Sequence, residues 1–181
     1  MVAGEDAETA AARGPELRDA TAVDAAAIAA IYNEGIEDRV ATLETTLRSP
    51  EERAQWLAAR GPRHPVIVAV DGSGAVLGWA SVNAFSPRAA YDRVADISVY
   101  VARAARGRGV GRALMAGLES RARSAGYHKL VLGCFPGNEA AMALYRGSGF
   151  TTVGTYHEQG LLDGRWMDVT LMEKILDQAA E

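Results

Sequence analysis

The chain of 181 residues is 49% hydrophobic and 23% charged, with a formal net charge of −4. That length and mixture suit one globular domain, and the slightly acidic balance gives no broad attraction to nucleic acid or an anionic membrane, so small ligands are the expected partners. No apolar run reaches bilayer length and the N-terminus lacks the basic-then-apolar order of a secretory signal, so a cytoplasmic location is expected.

The first 15 residues are rich in Ala, Glu, Asp and Gly without periodicity, the pattern of a tail that buries little, and residues 16–181 are read as a single domain. A short strand around Leu17 and Arg18 leads to Thr21, which can cap a helix whose apolar positions Ile28, Ile31, Tyr32 and Ile36 recur at helical spacing. A second helix starts at Ser49-Pro50-Glu51-Glu52, where Ser49 and Glu52 can bond reciprocally and Pro50 suits the first turn. Trp56 and Leu57 would bury its inner face.

Val66 to Val70 and Val76 to Val82 read as an antiparallel pair joined by Asp71-Gly72-Ser73-Gly74. The strand Ala95 to Val101 runs into a Gly-rich segment, and from Gly109 an apolar stripe of Val110, Leu114, Leu118 and Ala122 marks a helix that stops at Gly126. Leu130 to Phe135 is a nearly unbroken apolar run, as expected of a strand buried on both faces. Cys134 lies within it and reads as a buried strand residue. As the sole cysteine it leaves no internal disulfide and no thiolate metal cluster. His64, His128 and His157 are widely spaced and read as surface or loop residues, so no metal is expected. A shorter helix from Asn138 to near Gly149 and a closing hairpin, Thr151 to Glu158 and Trp166 to Ile175 about the turn Asp163-Gly164, complete the order β-α-α-β-β-β-α-β-α-β-β.

The segment Arg106-Gly107-Arg108-Gly109-Val110-Gly111-Arg112 has the chemistry of an anion site. A helix N-terminus has unpaired amide donors and partial positive charge, glycines let an anion reach the backbone, and the three arginines add charge. A pyrophosphate or phosphate is the expected guest, against the plain alternative of a turn that only reverses the chain. A Walker loop would need Lys then Ser or Thr after the last glycine, where Arg112 and Ala113 stand. A dinucleotide fingerprint would need a small residue at the place of Arg112.

Two motifs in order resemble the GNAT superfamily of acyl-CoA-dependent N-acyltransferases. Arg106, Gly109 and Gly111 match its Arg/Gln-x-x-Gly-x-Gly/Ala segment after the fourth strand, and Asn138, Tyr145, Gly149 and Phe150 match the pattern after its fifth. The resemblance implies an α/β (α+β) fold with a mixed, mostly antiparallel sheet of about seven strands flanked by about four helices, and acetyl-CoA as acetyl donor. It places the cofactor against Val99, Val101, Arg106, Gly107, Arg108, Gly109, Val110, Gly111, Arg112 and Asn138. Thioester aminolysis needs a proton acceptor, donors for the tetrahedral oxyanion and an acid for the thiolate. Tyr145 is the candidate acid, or else a packed helix tyrosine, and Asp96 the candidate base, or else an ordinary sheet-face carboxylate.

Within the superfamily the chain is similar, from about Leu17 to Ile175, to the branch acetylating phosphinothricin, methionine sulfoximine and arsinothricin. Ile31-Tyr32-Asn33, Ala41-Thr42-Leu43-Glu44, Ala90-Tyr91-Asp92, Ser98-Val99-Tyr100-Val101 and Gly164-Arg165-Trp166-Met167-Asp168-Val169 carry that likeness. It implies a small amino-acid-like acceptor, a resistance role and a homodimer with the last hairpin near the interface. Trp166 would serve that interface or the core. The likeness makes Arg88 the cation for the acceptor's anionic group and Leu43 and Tyr91 pocket walls, where a solvated arginine and plain core residues are the alternatives. Three departures stand out: Asp96 replaces the branch's Glu, Tyr145 replaces the His of phosphinothricin enzymes, and no lysine lies beside Gly160. Acetylation of protein N-termini or lysines, and a CoA-binding sensor without turnover, are the competing readings.

Overall fold

The structure, a computed structural model, describes residues 14–176, so nearly all of the expected tail lies outside the described residues. Seven strands form one sheet: β1 (Glu16–Asp19), β2 (Val66–Val70), β3 (Val76–Ala84), β4 (Val94–Val101), β5 (Lys129–Cys134), β6 (Thr151–Leu162) and β7 (Arg165–Ile175). Their spatial order is β1-β2-β3-β4-β5-β7-β6, and every neighbouring pair is antiparallel except β4 with β5. Four helices flank the sheet: α1 (Ala25–Glu37), α2 (Pro50–Ala58), α3 (Val110–Ser124) and α4 (Glu139–Gly147). The expected fold class is the one found.

Side-chain alternation sorts the sheet into two faces. On one, Ile67, Ala80, Val82, Ala95, Ile97, Leu130, Leu132 and Met172 pack with Val110, Leu114, Met115 and Leu118 of α3, and with Met142 and Tyr145 of α4. On the other, Val66, Val68, Val70 and Trp79 meet Ile28 and Ile31 of α1, with Tyr32, Trp56, Leu57 and Tyr100 at the margin. Each fully buried aliphatic side chain contributes about 1.5–3 kcal/mol, so the apolar stripe of α3 holds that helix to the sheet.

Several elements depart from expectation for local reasons. Thr21 begins a 3-10 turn, Ala22–Asp24, rather than the helix itself. Asp24 is 97% buried, accepts the Thr21 amide at 2.8 Å and takes both Arg18 guanidinium nitrogens at 2.7 and 2.8 Å, which consumes the first turn in satisfying a buried carboxylate. The Ser49 capping box forms as read, with Glu52 N to Ser49 Oγ at 3.2 Å and Ser49 N to Glu52 Oε2 at 2.7 Å.

β5 is not buried on both faces. Leu130, Leu132 and Cys134 are buried, but Val131 is partly exposed and Gly133 exposed, because neither α1 nor α2 extends across that part of the sheet. β6 runs four residues past its expected end, through a bulge between Tyr156 and Gly160 where Glu158 has φ +51°. Asp168 holds that bulge, accepting from Glu158 N at 2.9 Å and lying 3.0 Å from His157 Nδ1. Trp166 is 60% exposed, which removes the core alternative for it.

Candidate active site

β4 and β5 run side by side only from Val94 opposite Lys129 to Asp96 opposite Val131. Beyond Asp96, β4 stays with β3 as far as Val101 while β5 stays with β7 as far as Cys134, so the two neighbours part. The β4 edge facing the opening has backbone groups with no strand partner on that side. Such an edge suits an extended ligand that pairs as another strand would.

A cavity of about 610 Å³ occupies the opening. Val99, Tyr100 and Val101 of β4 form one wall and Ala141, Leu144 and Tyr145 of α4 the opposite one, while Ile31 and Gly35 of α1 and Val40 and Ala41 of the next loop close the side. Arg106, Gly107, Gly109, Gly111 and Arg112 line its far end. Gly109 is the N-cap of α3 at φ +82°, a left-handed conformation that costs other residues about 1–2 kcal/mol, and no side chain caps the helix there. The first-turn amides of α3 are therefore left for a ligand. At Gly111 a Cβ would sit 3.0 Å from Leu144 Cδ2, so this glycine lets α4 approach α3 closely.

The predicted cofactor residues divide by how they could act. Val99, Val101, Arg106, Gly107, Gly109, Gly111, Arg112 and Asn138 line the cavity, whereas the Val110 side chain is buried in the core and Arg108 is exposed beside the turn. Val110 could therefore serve a cofactor only through its backbone amide. Arg106 is held in place, with Nη1 2.8 Å from Asp38 Oδ2 and Nε 3.3 Å from the Val101 carbonyl. Asp38 also takes Arg103 at 2.8 Å, and these two guanidiniums hold its carboxyl below the usual range. Both ends of the Asn138 amide are engaged, since Oδ1 caps α4 by accepting Ala141 N at 3.1 Å and Nδ2 donates to the Val40 carbonyl at 3.0 Å. Its side chain thus ties the α1–α2 loop over the cavity.

Of the two catalytic candidates, Tyr145 lines the cavity and Asp96 does not. Tyr145 is 92% buried on the cavity wall, and burial first, then Cys134 and Asp96, push its phenol well above the usual tyrosine range. Asp96 is the last β4 residue paired with β5, at the vertex of the opening. Burial raises its carboxyl to about 6, against the opposing hydrogen bond from Asn83.

The predicted acceptor residues are not part of the cavity lining. Arg88 is exposed at the N-cap of the 3-10 turn Ala89–Tyr91, just before β4, and no carboxylate pairs with it among the described residues. Tyr91 is partly exposed, with its ring 5.2 Å from that of Phe85. Leu43 packs against Gly160 in the β6 bulge, where a Cβ would lie 2.6 Å from Leu43 Cδ1. Sequence reasoning missed Tyr100, which stacks on Trp79 at 4.9 Å and lines the cavity. Period-2 alternation could have found it, because Asp96, Ser98 and Tyr100 share one face of β4.

The model of the acetyltransferase (GNAT) family matches residues 28–150. The chain belongs to that family. The methionine sulfoximine/methionine sulfone acetyltransferase of Pseudomonas paraeruginosa is 36% identical over 162 residues, 89% of this chain and 94% of its own. A phosphinothricin acetyltransferase of Sinorhizobium meliloti, solved in complex with acetyl-CoA, superposes with a TM-score of 0.85 at 35% identity, over 91% of this chain and 89% of its own. A ribosomal-protein-alanine N-acetyltransferase of Brucella melitensis also reaches 0.85, at 42% identity over 89% of this chain and 99% of its own. This GNAT protein is an acetyl-CoA-dependent acyltransferase, and the bare first turn of α3, the arginines and the unpaired β4 edge fit that donor. Among the described residues no group of three His, Cys, Asp or Glu is placed to hold a metal, and no helix is long and apolar enough to cross a membrane.

Proposed function

We propose that this GNAT enzyme acetylates the amino group of a small amino-acid-like acceptor of the phosphinothricin or methionine sulfoximine type, with Asp96 as base and Tyr145 as acid. The observation that carries the reading is the parting of β4 from β5, which places a carboxylate of raised affinity for protons at its vertex and a buried phenol on its wall. At a pKa of about 6, Asp96 is about a hundredfold stronger as a base than an ordinary aspartate yet remains ionised at neutral pH. It accepts the proton that the acceptor ammonium must lose before its nitrogen can attack.

As the C–N bond forms, the acetyl oxygen gains negative charge, and an amide of the open β4 edge can donate to it. The C–S bond then breaks, the Tyr145 hydroxyl gives its proton to the thiolate, and the nitrogen sheds its second proton to solvent as the amide forms; solvent restores the phenol and takes the first proton from Asp96. Arg88 and Tyr91 stand immediately ahead of β4, at the end that carries Asp96, so an anionic group of the acceptor would meet the Arg88 guanidinium. A resistance role follows if the acceptor is a toxin of this kind.

The names of the Pseudomonas and Sinorhizobium relatives support this acceptor class, whereas the 42% identity to the Brucella protein favours a second reading, acetylation of a protein's N-terminal alanine. One assay separates them: thiol release from acetyl-CoA with phosphinothricin, methionine sulfoximine, arsinothricin, free amino acids and alanine-starting peptides. The first reading predicts turnover with the acidic amino acid analogues, and an Arg88→Ala variant with acceptor KM raised about 10-fold or more and acetyl-CoA KM unchanged. Turnover confined to the peptides, indifferent to Arg88, would establish the second.

The chain is further proposed to act as a homodimer. Leu161 and Trp166, cross-strand partners on the last hairpin, are both exposed, an apolar pair of the sort that a second copy would cover. Light scattering should give the mass of two chains, and Trp166→Glu should move it toward one.

A further inference from the structure

A polar network on β3 lies beside Asp96. Asn83 of β3 is the register partner of Asp96, and its Nδ2 lies 3.4 Å from Asp96 Oδ2 and 3.3 Å from Ser98 Oγ. Its Oδ1 accepts from Arg60 Nη2 at 3.1 Å and from the Ser81 hydroxyl at 3.2 Å. Arg60, in the loop after α2, is held at three further points: Nε donates to the His64 carbonyl at 2.8 Å, Nη2 donates to the Val82 carbonyl, and the guanidinium lies 4.5 Å from the Trp56 ring centre.

These contacts determine which way the Asn83 amide points. A guanidinium can only donate, so the amide oxygen must turn to Arg60 and both N–H bonds are left for Asp96 and Ser98. Arg60 is half-buried and no carboxylate pairs with it among the described residues, so its own burial lowers its pKa to about 10.

We propose that Asn83, oriented by Arg60, is the positioning residue that aims the Asp96 carboxylate and keeps it ionised for the acceptor. This rests on Asp96 being the base. An N–H donated to a carboxylate stabilises the charged form, and here it opposes the desolvation that raises Asp96. Besides burial, the Asn83 hydrogen bond is the influence resolved on the Asp96 carboxyl. From β5 Asp96 meets apolar Val131; Lys129 and Glu173 on the same sheet face are paired with each other; from α4 the phenol of Tyr145 stays protonated. Asn83 is therefore the donor on which the ionised state of Asp96 chiefly depends.

The test is the pH profile of kcat/KM for the acceptor, measured on wild type, Asn83→Leu, Asn83→Asp and Asp96→Asn, with acetyl-CoA affinity and Tm as controls for folding. Asn83→Leu is expected to move the acid limb upward by about 0.5–1 pH unit, and Asn83→Asp, which also lacks the amide donor, to move it upward as well. Acetyl-CoA affinity should stay within about twofold. If the Asn83 variants lose activity equally at all pH values and the limb stays where it is in wild type, Asn83 is a strut and the proposal is overturned. Should Asp96→Asn instead retain full activity, the reading of Asp96 as base has failed, a result distinguishable from the first.

Discussion

Replacing Asp96 by Asn is expected to lower kcat/KM for the acceptor by about 10²–10⁴-fold, the usual contribution of a positioned general base. The wild-type profile should fall on the acid side with an apparent pKa of about 6. As pH drops through that value Asp96 becomes protonated and cannot accept from the ammonium, so activity declines about tenfold per pH unit below it. The limb should vanish in Asp96→Asn, whose residual rate comes from binding alone. A limb that persists unchanged in the variant would assign it to the acceptor or to another group.

Tyr145→Phe should reduce kcat by about 10²–10³-fold while the acetyl-CoA KM moves less than threefold, because the lost interaction is made only as the thiolate develops. The ring packs against Phe150 at 6.1 Å and that contact survives in phenylalanine, so the variant removes the proton without removing the side chain that fills the wall. Burial holds the wild-type phenol protonated, so no loss of rate from Tyr145 is expected on the alkaline side up to about pH 9. A basic limb near neutrality that disappears in Tyr145→Phe would contradict this protonation state. Full activity in the variant would take the role of acid from Tyr145.

The turn proposed to take the cofactor was largely legible in the sequence because its pattern is local. Gly109 reads as a helix N-terminus without a capping side chain, and the backbone does place it there at a left-handed φ. Pyrophosphate binding at such a turn depends on a few consecutive residues, and period-2 and 3.6-residue patterns located the strand and helix around it. Seven strands and four helices followed from the same patterns.

What the sequence did not reveal depends on contacts between distant segments. The apolar run Leu130 to Phe135 looks fully buried, yet only one face of β5 is covered, since coverage depends on where α1 and α2 end. The β6 bulge needs Asp168 from the opposite strand, so no local pattern in Tyr156 to Gly160 announces it. Arg106 is a cofactor candidate by motif, but its pairing with Asp38 joins residues 68 positions apart. Asn83 carries no motif at all, and only the β3–β4 register sets it opposite Asp96.

The most direct measurement is a calorimetric titration of acetyl-CoA beside acetyl-pantetheine, which has the same thioester and arm but lacks the diphosphate and nucleotide. Several charge-assisted hydrogen bonds, each contributing about 1.5–3 kcal/mol, should make acetyl-CoA bind on the order of 100-fold more tightly or better, with the difference shrinking as salt rises. Equal affinity for the two would mean that the open turn before α3 does not hold the diphosphate, and the account of this site would be wrong.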